Sequence, residues 1–207
     1  MKSCIKSVIV ILLIMTFSDL HAQVKPGYIF GLNLSTMTLK TKDAIYDPRI
    51  SAGIYYGGYL DVSLTHNFSL RPNLLFSTKG SKYKTDSTEF SISPVYAELS
   101  IYASYSVGSE IVKFCVFTGP YIACGISGYK IDPKGDLRDI SYGSNEYSDL
   151  RPFDFGFCFG AGIIIKEVQI SAQYGVGMAN LSPLSLTDNE MKNTVIGISV
   201  SSLLRGK

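Results

Sequence analysis

Residues 151–165 read RPFDFGFCFGAGIII, and this stretch decides the fold. From Phe153 every second residue is apolar: Phe153, Phe155, Phe157, Phe159, Ala161, Ile163 and Ile165. Between them stand Asp154, Gly156, Cys158, Gly160, Gly162 and Ile164. A period of two belongs to a β-strand, whose successive side chains point to opposite faces. Here the bulky face asks for an apolar surrounding. The other face, mostly small and with one charge, asks for a crowded interior.

The pattern recurs along the chain. In VQISAQYGVGM, Val168, Ile170, Ala172, Tyr174, Val176 and Met178 oppose Gln169, Ser171, Gln173, Gly175 and Gly177. In VYAELSIYASYSV, Val95, Leu99, Ile101 and Tyr105 oppose Tyr96, Glu98, Ser100, Tyr102 and Ser104. Ile196, Ile198, Val200 and Leu204 oppose Gly197, Ser199 and Ser201. Weaker copies run through Tyr28 to Leu34, Ile50 to Val62, Phe68 to Phe76 and Phe114 to Ile122. Together they predict eight strands of about ten residues, the length a tilted strand needs to cross a hydrocarbon core.

The connections alternate. Ser63 to Asn67, Gly108 to Val112 and Lys166-Glu167 are short, whereas Met37 to Arg49, Gly80 to Ser93, Ser127 to Arg151 and Ala179 to Asn193 are long. Short turns alternating with long polar loops match an outer-membrane barrel, with turns in the periplasm and loops outside. The expected fold is therefore all-β, an eight-stranded antiparallel up-and-down transmembrane β-barrel. A charge at mid-bilayer on the outward face would cost about 2–4 kcal/mol, and the eight apolar faces carry none.

Inward charges are the informative polar set: Asp61, Arg71, Lys79, Glu98, Asp154 and Lys166. A buried charge is costly unless it is paired and hydrogen-bonded. Arg71 and Glu98 lie on consecutive strands and are expected to pair in the lumen, with Asp154 as a third partner. This network of Arg71, Glu98 and Asp154 is read as structural, closing the barrel with its own side chains.

Residues 1–23 read as a signal peptide: Lys2 and Lys6, an apolar core from Val8 to Phe17, and a small residue in His21-Ala22-Gln23. Residues 24–207 then form one barrel domain, and the protein is exported to the outer membrane. Lys2, Lys6 and Asp19 leave with the signal, so 17 basic and 16 acidic residues remain. That balance excludes a nucleic-acid footprint. Cys115, Cys124 and Cys158 are odd in number and fit no zinc spacing, so neither a disulfide framework nor a metal is expected.

No cofactor or catalytic residue is expected either. His66, the one histidine after residue 23, falls in a turn without a neighbour that would make it a base. The acids Asp132, Asp136, Asp139, Glu146 and Asp149 fit no EF-hand spacing and read as a solvated loop. GFCFGAG lacks the strand-turn-helix setting of a dinucleotide fingerprint.

The segments FSLRPNLLFSTKGSKY, SPVYAELSIYASYSVG, FCVFTGPYIACGISG and FGFCFGAGIIIKEVQISAQYGVGMANLSP resemble the outer membrane β-barrel family that includes PorT-like proteins of Gram-negative bacteria. The resemblance rests on Lys79-Gly80, Gly119-Pro120-Tyr121 and Gly160-Ala161-Gly162 and spans nearly all of residues 24–207. It implies a barrel fold and an outer-membrane location. The expected function is a non-enzymatic outer-membrane barrel with a side-chain-filled lumen. Its long loops would bind a surface ligand or a partner in envelope or secretion assembly, with outer-membrane lipids around the wall. The alternative is a small channel or a ligand-carrying barrel, lipocalin-like or for transport.

Overall fold

A computed structural model describes residues 23–40, 45–46, 48–85, 88–132, 134–145, 147–183 and 190–204. The expected signal peptide lies outside them except for Gln23. The strands are β1 (Gln23–Lys40), β2 (Ile45–Tyr46), β3 (Pro48–Ser63), β4 (Phe68–Thr78), β5 (Ser81–Thr85), β6 (Thr88–Gly108), β7 (Val112–Ile131), β8 (Leu137–Asp139), β9 (Phe153–Ile165), β10 (Val168–Gly177) and β11 (Glu190–Leu203).

Each long strand pairs antiparallel with the next, and β11 closes on β1 through Gly27↔Leu203 to Lys40↔Glu190. β4 and β5 act as one strand interrupted at Lys79-Gly80, since both pair with β3 and β6. The ring therefore has eight strands and up-and-down order.

Phe153, Phe155 and Phe159 are 60%, 52% and 53% exposed, while Asp154, Cys158 and Gly156 are buried. The phenylalanine face of the deciding stretch thus lies outside the ring, where lipid would cover it. Leu32, Ile54, Leu74, Ile101, Phe114, Ile170 and Ile198 repeat this on the other seven strands.

Inward glycines receive inward rings from the neighbouring strand. Gly27 and Gly31 face Tyr59 and Tyr55, and Gly156 and Gly160 face Tyr121 and Phe117, each pair in direct register. A methyl group on Gly160 would lie 2.2 Å from Phe117 Cζ, and one on Gly31 would lie 2.4 Å from the Tyr55 ring. The glycines are there because the rings lie across them. This fills the narrow interior of an eight-strand ring.

The strands run further than the sequence pattern suggested. Within Gly80 to Ser93, expected as a loop, residues 81–85 and 88–93 are instead β5 and the start of β6, and the described parts of Met37 to Arg49 are strand as well. Past the membrane level the alternation inverts on β1 and β11. On β1 the outward series Phe30, Leu32, Leu34 gives way to Thr36, Thr38 and Lys40, and the inward series Gly31, Asn33, Ser35 gives way to Met37 and Leu39. On β11 Lys192 and Thr194 precede outward Ile196, while Met191 is inward. Thr36 and Thr194 are register partners, so the change falls at one height. Apolar groups turn inward where water replaces lipid outside.

Gly160→Ala should destabilise the barrel by about 1–3 kcal/mol through overpacking against Phe117. Gly58→Ala, whose added carbon meets only a backbone oxygen at 3.6 Å, should stay within about 0.5 kcal/mol. Urea unfolding in micelles, followed by the shifted gel mobility of the folded form, measures both. Equal effects would show that the ring-on-glycine contacts do not set the packing.

Candidate functional site

Two charge centres occupy the lumen at different heights. Nearer the short turns, Arg71 Nε donates to Asp61 Oδ2 and its Nη1 donates to Gln169 Oε1 at 2.6 Å, with the guanidinium 5.8 Å from the Tyr59 ring centre. Asp61 is on β3 and Gln169 on β10, so the contact crosses the barrel. A polar vestibule of about 220 Å³ opens below it toward the turns, with Lys25, Lys113 and Lys166 among its lining.

The upper centre is built on Lys79, which is 4% exposed. Its Nζ lies 2.8 Å from Glu98 Oε2 on β6 and 3.5 Å from Asp154 Oδ2 on β9. The ammonium also stands 4.3 Å from the Tyr121 ring centre and 5.3 Å from that of Tyr96, in cation–π range. Asp154 is fully buried and also accepts from Asn193 Nδ2 at 2.9 Å and Tyr121 Oη at 3.3 Å.

Lys79 continues the inward series Asn73, Leu75 and Ser77 of β4, and its backbone N–H donates to Pro94 O at 3.0 Å. Gly80 follows at the break between β4 and β5. Its φ is 148°, and a side chain there would strike the Ile92 carbonyl at 2.1 Å.

The expected Arg71–Glu98 pair does not form. The hairpin register sets Thr78 opposite Val95, so Arg71 faces Tyr102 and Glu98 faces Leu75. Four positions separate the two, about 13 Å at the rise of a strand. Asp154 does join a lumen network, but with Lys79 and Glu98 rather than Arg71. Lys166, expected inward, stands exposed in the β9–β10 turn with φ 57°. His66 is exposed in the β3–β4 turn, as read from the sequence.

Between the two centres the lumen leaves cavities of about 20 Å³ each, near Tyr102 and Gln173. Each has room for about one water. Above the Lys79 centre the interior turns apolar: Met37, Tyr83, Ile92, Ile140, Leu150, Leu181 and Met191 form a buried cluster, and Tyr83 Oη donates to Met37 O at 2.8 Å. That cluster caps the described part of the lumen at the loop end.

The connection from β7 to β9 folds over this cap. Asp132 Oδ1 accepts the backbone N–H groups of Lys134 and Asp136, both at 3.0 Å, and Asp132 Oδ2 lies 3.1 Å from Arg138 Nη2. Desolvation is the largest single effect and opposes these contacts, yet the backbone donors and Arg138 together outweigh it and hold the carboxyl below its ordinary range. Asp149 pairs with Lys130 and accepts Ser141 N–H at 2.9 Å. Glu146 lies outside the described residues. Among the described residues no three His, Cys, Asp or Glu side chains gather in a metal-binding group.

Lys79→Met should cost about 3–5 kcal/mol, because it strands two buried carboxylates. In double-mutant cycles Lys79→Met with Glu98→Gln should depart from additivity by about 0.5–3 kcal/mol, whereas Arg71→Met with Glu98→Gln should add within about 0.5 kcal/mol. Strong coupling between Arg71 and Glu98 would contradict the two-centre lumen.

Residues 18–184 match the family profile described as outer membrane protein beta-barrel domain. Among curated proteins none matches the chain. Solved structures similar to it include Neisserial surface protein A, at 11% identity and TM-score 0.45 over 86% of this chain and 97% of that one. Others are OprG from Pseudomonas aeruginosa (10%, TM-score 0.41, 89% and 98% covered) and Ail of Yersinia pestis (10%, TM-score 0.38, 86% and 99% covered). With most of its length inside the family profile and its eight strands closed into an antiparallel ring, the chain belongs to the outer membrane protein β-barrel domain family.

Proposed function

We propose that this is a non-enzymatic outer-membrane barrel that works through its loop end, with the lumen kept shut to solutes. The observation that carries the reading is the Lys79–Glu98–Asp154 centre beneath an apolar cap. Charge pairing and packing both close the path, so the wall and interior serve as a support. What remains available for recognition is the arm of strands beyond Thr36 and Thr194 and the loop over it. Leu137 and Tyr147 on that loop are 68% and 84% exposed.

In this reading residues 1–23 act as the signal peptide, and the short turns face the periplasm. The bound species is a surface ligand or a protein of envelope or secretion assembly. Outer-membrane lipids surround the barrel, and neither cofactor nor nucleic acid takes part.

Peptide tags and a photo-cross-linking residue on intact cells test this. A tag inserted at Gly143 should be labelled and one at Lys166 should not. A cross-linker at Tyr147 should capture a cell-surface or envelope component that trimming residues 134–145 abolishes, while the barrel keeps its shifted mobility. Labelling at Lys166 alone would reverse the orientation and sink the reading.

A further inference from the structure

We infer that the loop-end arm holds a binding site for a small amphipathic anion, a carboxylate head on an apolar or aromatic body. The site is a cavity of about 360 Å³ among β1, β5, β6, β7 and β11 and the β7–β9 connection. Ligand pockets commonly begin near about 300 Å³ and are mostly apolar with a few placed polar groups. Leu39, Tyr83, Phe90, Ile92, Ile131 and Met191 supply the apolar wall. Tyr83 and Phe90 stack at 4.8 Å between ring centres, a flat surface suited to an aromatic body.

The charged groups at the cavity fix the sign of the head. Among the described residues Lys130, Asp132, Arg138 and Asp149 line it, two of each sign. The acids are already engaged by their own loop: Asp132 by two backbone N–H groups and Arg138, and Asp149 by Ser141 N–H and Lys130. The cations have donors to spare. An ammonium carries three N–H donors and a guanidinium five. Arg138 reaches its acids through Nη2 alone, and its side chain is 59% exposed. Of about four acceptor sites on each carboxylate, Asp132 uses three and Asp149 two, so spare donors outnumber spare acceptors among the described residues and favour an anionic head over an ammonium one. The body then lies against the Tyr83–Phe90 wall, sheltered from water.

This deepens the loop-end reading and rests on it for the side of the membrane that the ligand comes from. The test is methionine-methyl NMR of the folded protein in lipid nanodiscs, titrated with naphthoate and with naphthylmethanol as the uncharged match. Met191 lines the cavity, whereas Met178 is 60% exposed on the outside of the ring and serves as the internal control. Naphthoate should shift and saturate the Met191 methyl, leave Met178 unmoved, and bind more tightly than naphthylmethanol. Arg138→Gln should weaken naphthoate about tenfold or more, the worth of a charge-assisted hydrogen bond, and leave naphthylmethanol unchanged. Lys130→Gln should do the same if its unchanged Met178 signal confirms the fold.

Parallel movement of Met178 and Met191 would mean partition into lipid and overturn the site. Equal affinity for acid and alcohol would overturn the anionic head. Nanodisc binding does not depend on which face is outside in the cell, so its failure is separate from failure of the tag labelling.

Discussion

A ring of eight tilted strands encloses space only for its own side chains, and every inward residue has to satisfy that limit. Charge is the hardest thing to place there, because each buried ion costs several kcal/mol after relaxation. Lys79 is therefore set between Glu98 and Asp154, with two tyrosine rings near the ammonium. Arg71 is met in the same way by Asp61 and Gln169 from opposite walls. Aromatic rings over glycines fill much of the remaining room. Among the described residues this packing leaves cavities of only about 20 Å³ between the two charge centres, which supports the proposed closed lumen.

The same chain carries two opposite alternations. Within the bilayer the strands are apolar outside and polar inside. Above Thr36 and Thr194, β1, β5 and β11 are polar outside and apolar inside, like a small soluble sheet packed on its own core. One change of surrounding, from lipid to water, accounts for both. The upper arm is a second hydrophobic core, formed by Met37, Tyr83, Ile92, Leu150, Leu181 and Met191, at the loop end of the barrel.

Much of this was legible in the residues. Strand number, facing and the three short turns follow from period two and from where it lapses. Pairing partners did not follow, because alternation fixes which face a residue takes and leaves the register open. Arg71 and Glu98 share the inward face of consecutive strands, yet a four-residue offset separates them. A usable signal was present: Gly27 and Gly31 match Tyr59 and Tyr55, and Gly156 and Gly160 match Tyr121 and Phe117, each at a spacing of four that specifies register. The extended arm was missed because its inward apolar series, Tyr83 and Ile92, follows a glycine break and is flanked by lysine, serine and threonine. Those residues resemble a loop when the outside is assumed to be lipid throughout.

Single-channel recording in planar bilayers tests most directly whether the Lys79 centre and the apolar cap keep the barrel shut, as proposed. Purified folded protein should give no steady current in symmetric salt. Steady open-channel conductance from the wild-type protein would contradict the account, because a filled lumen with cavities of about 20 Å³ between its charge centres has no room for hydrated ions to pass.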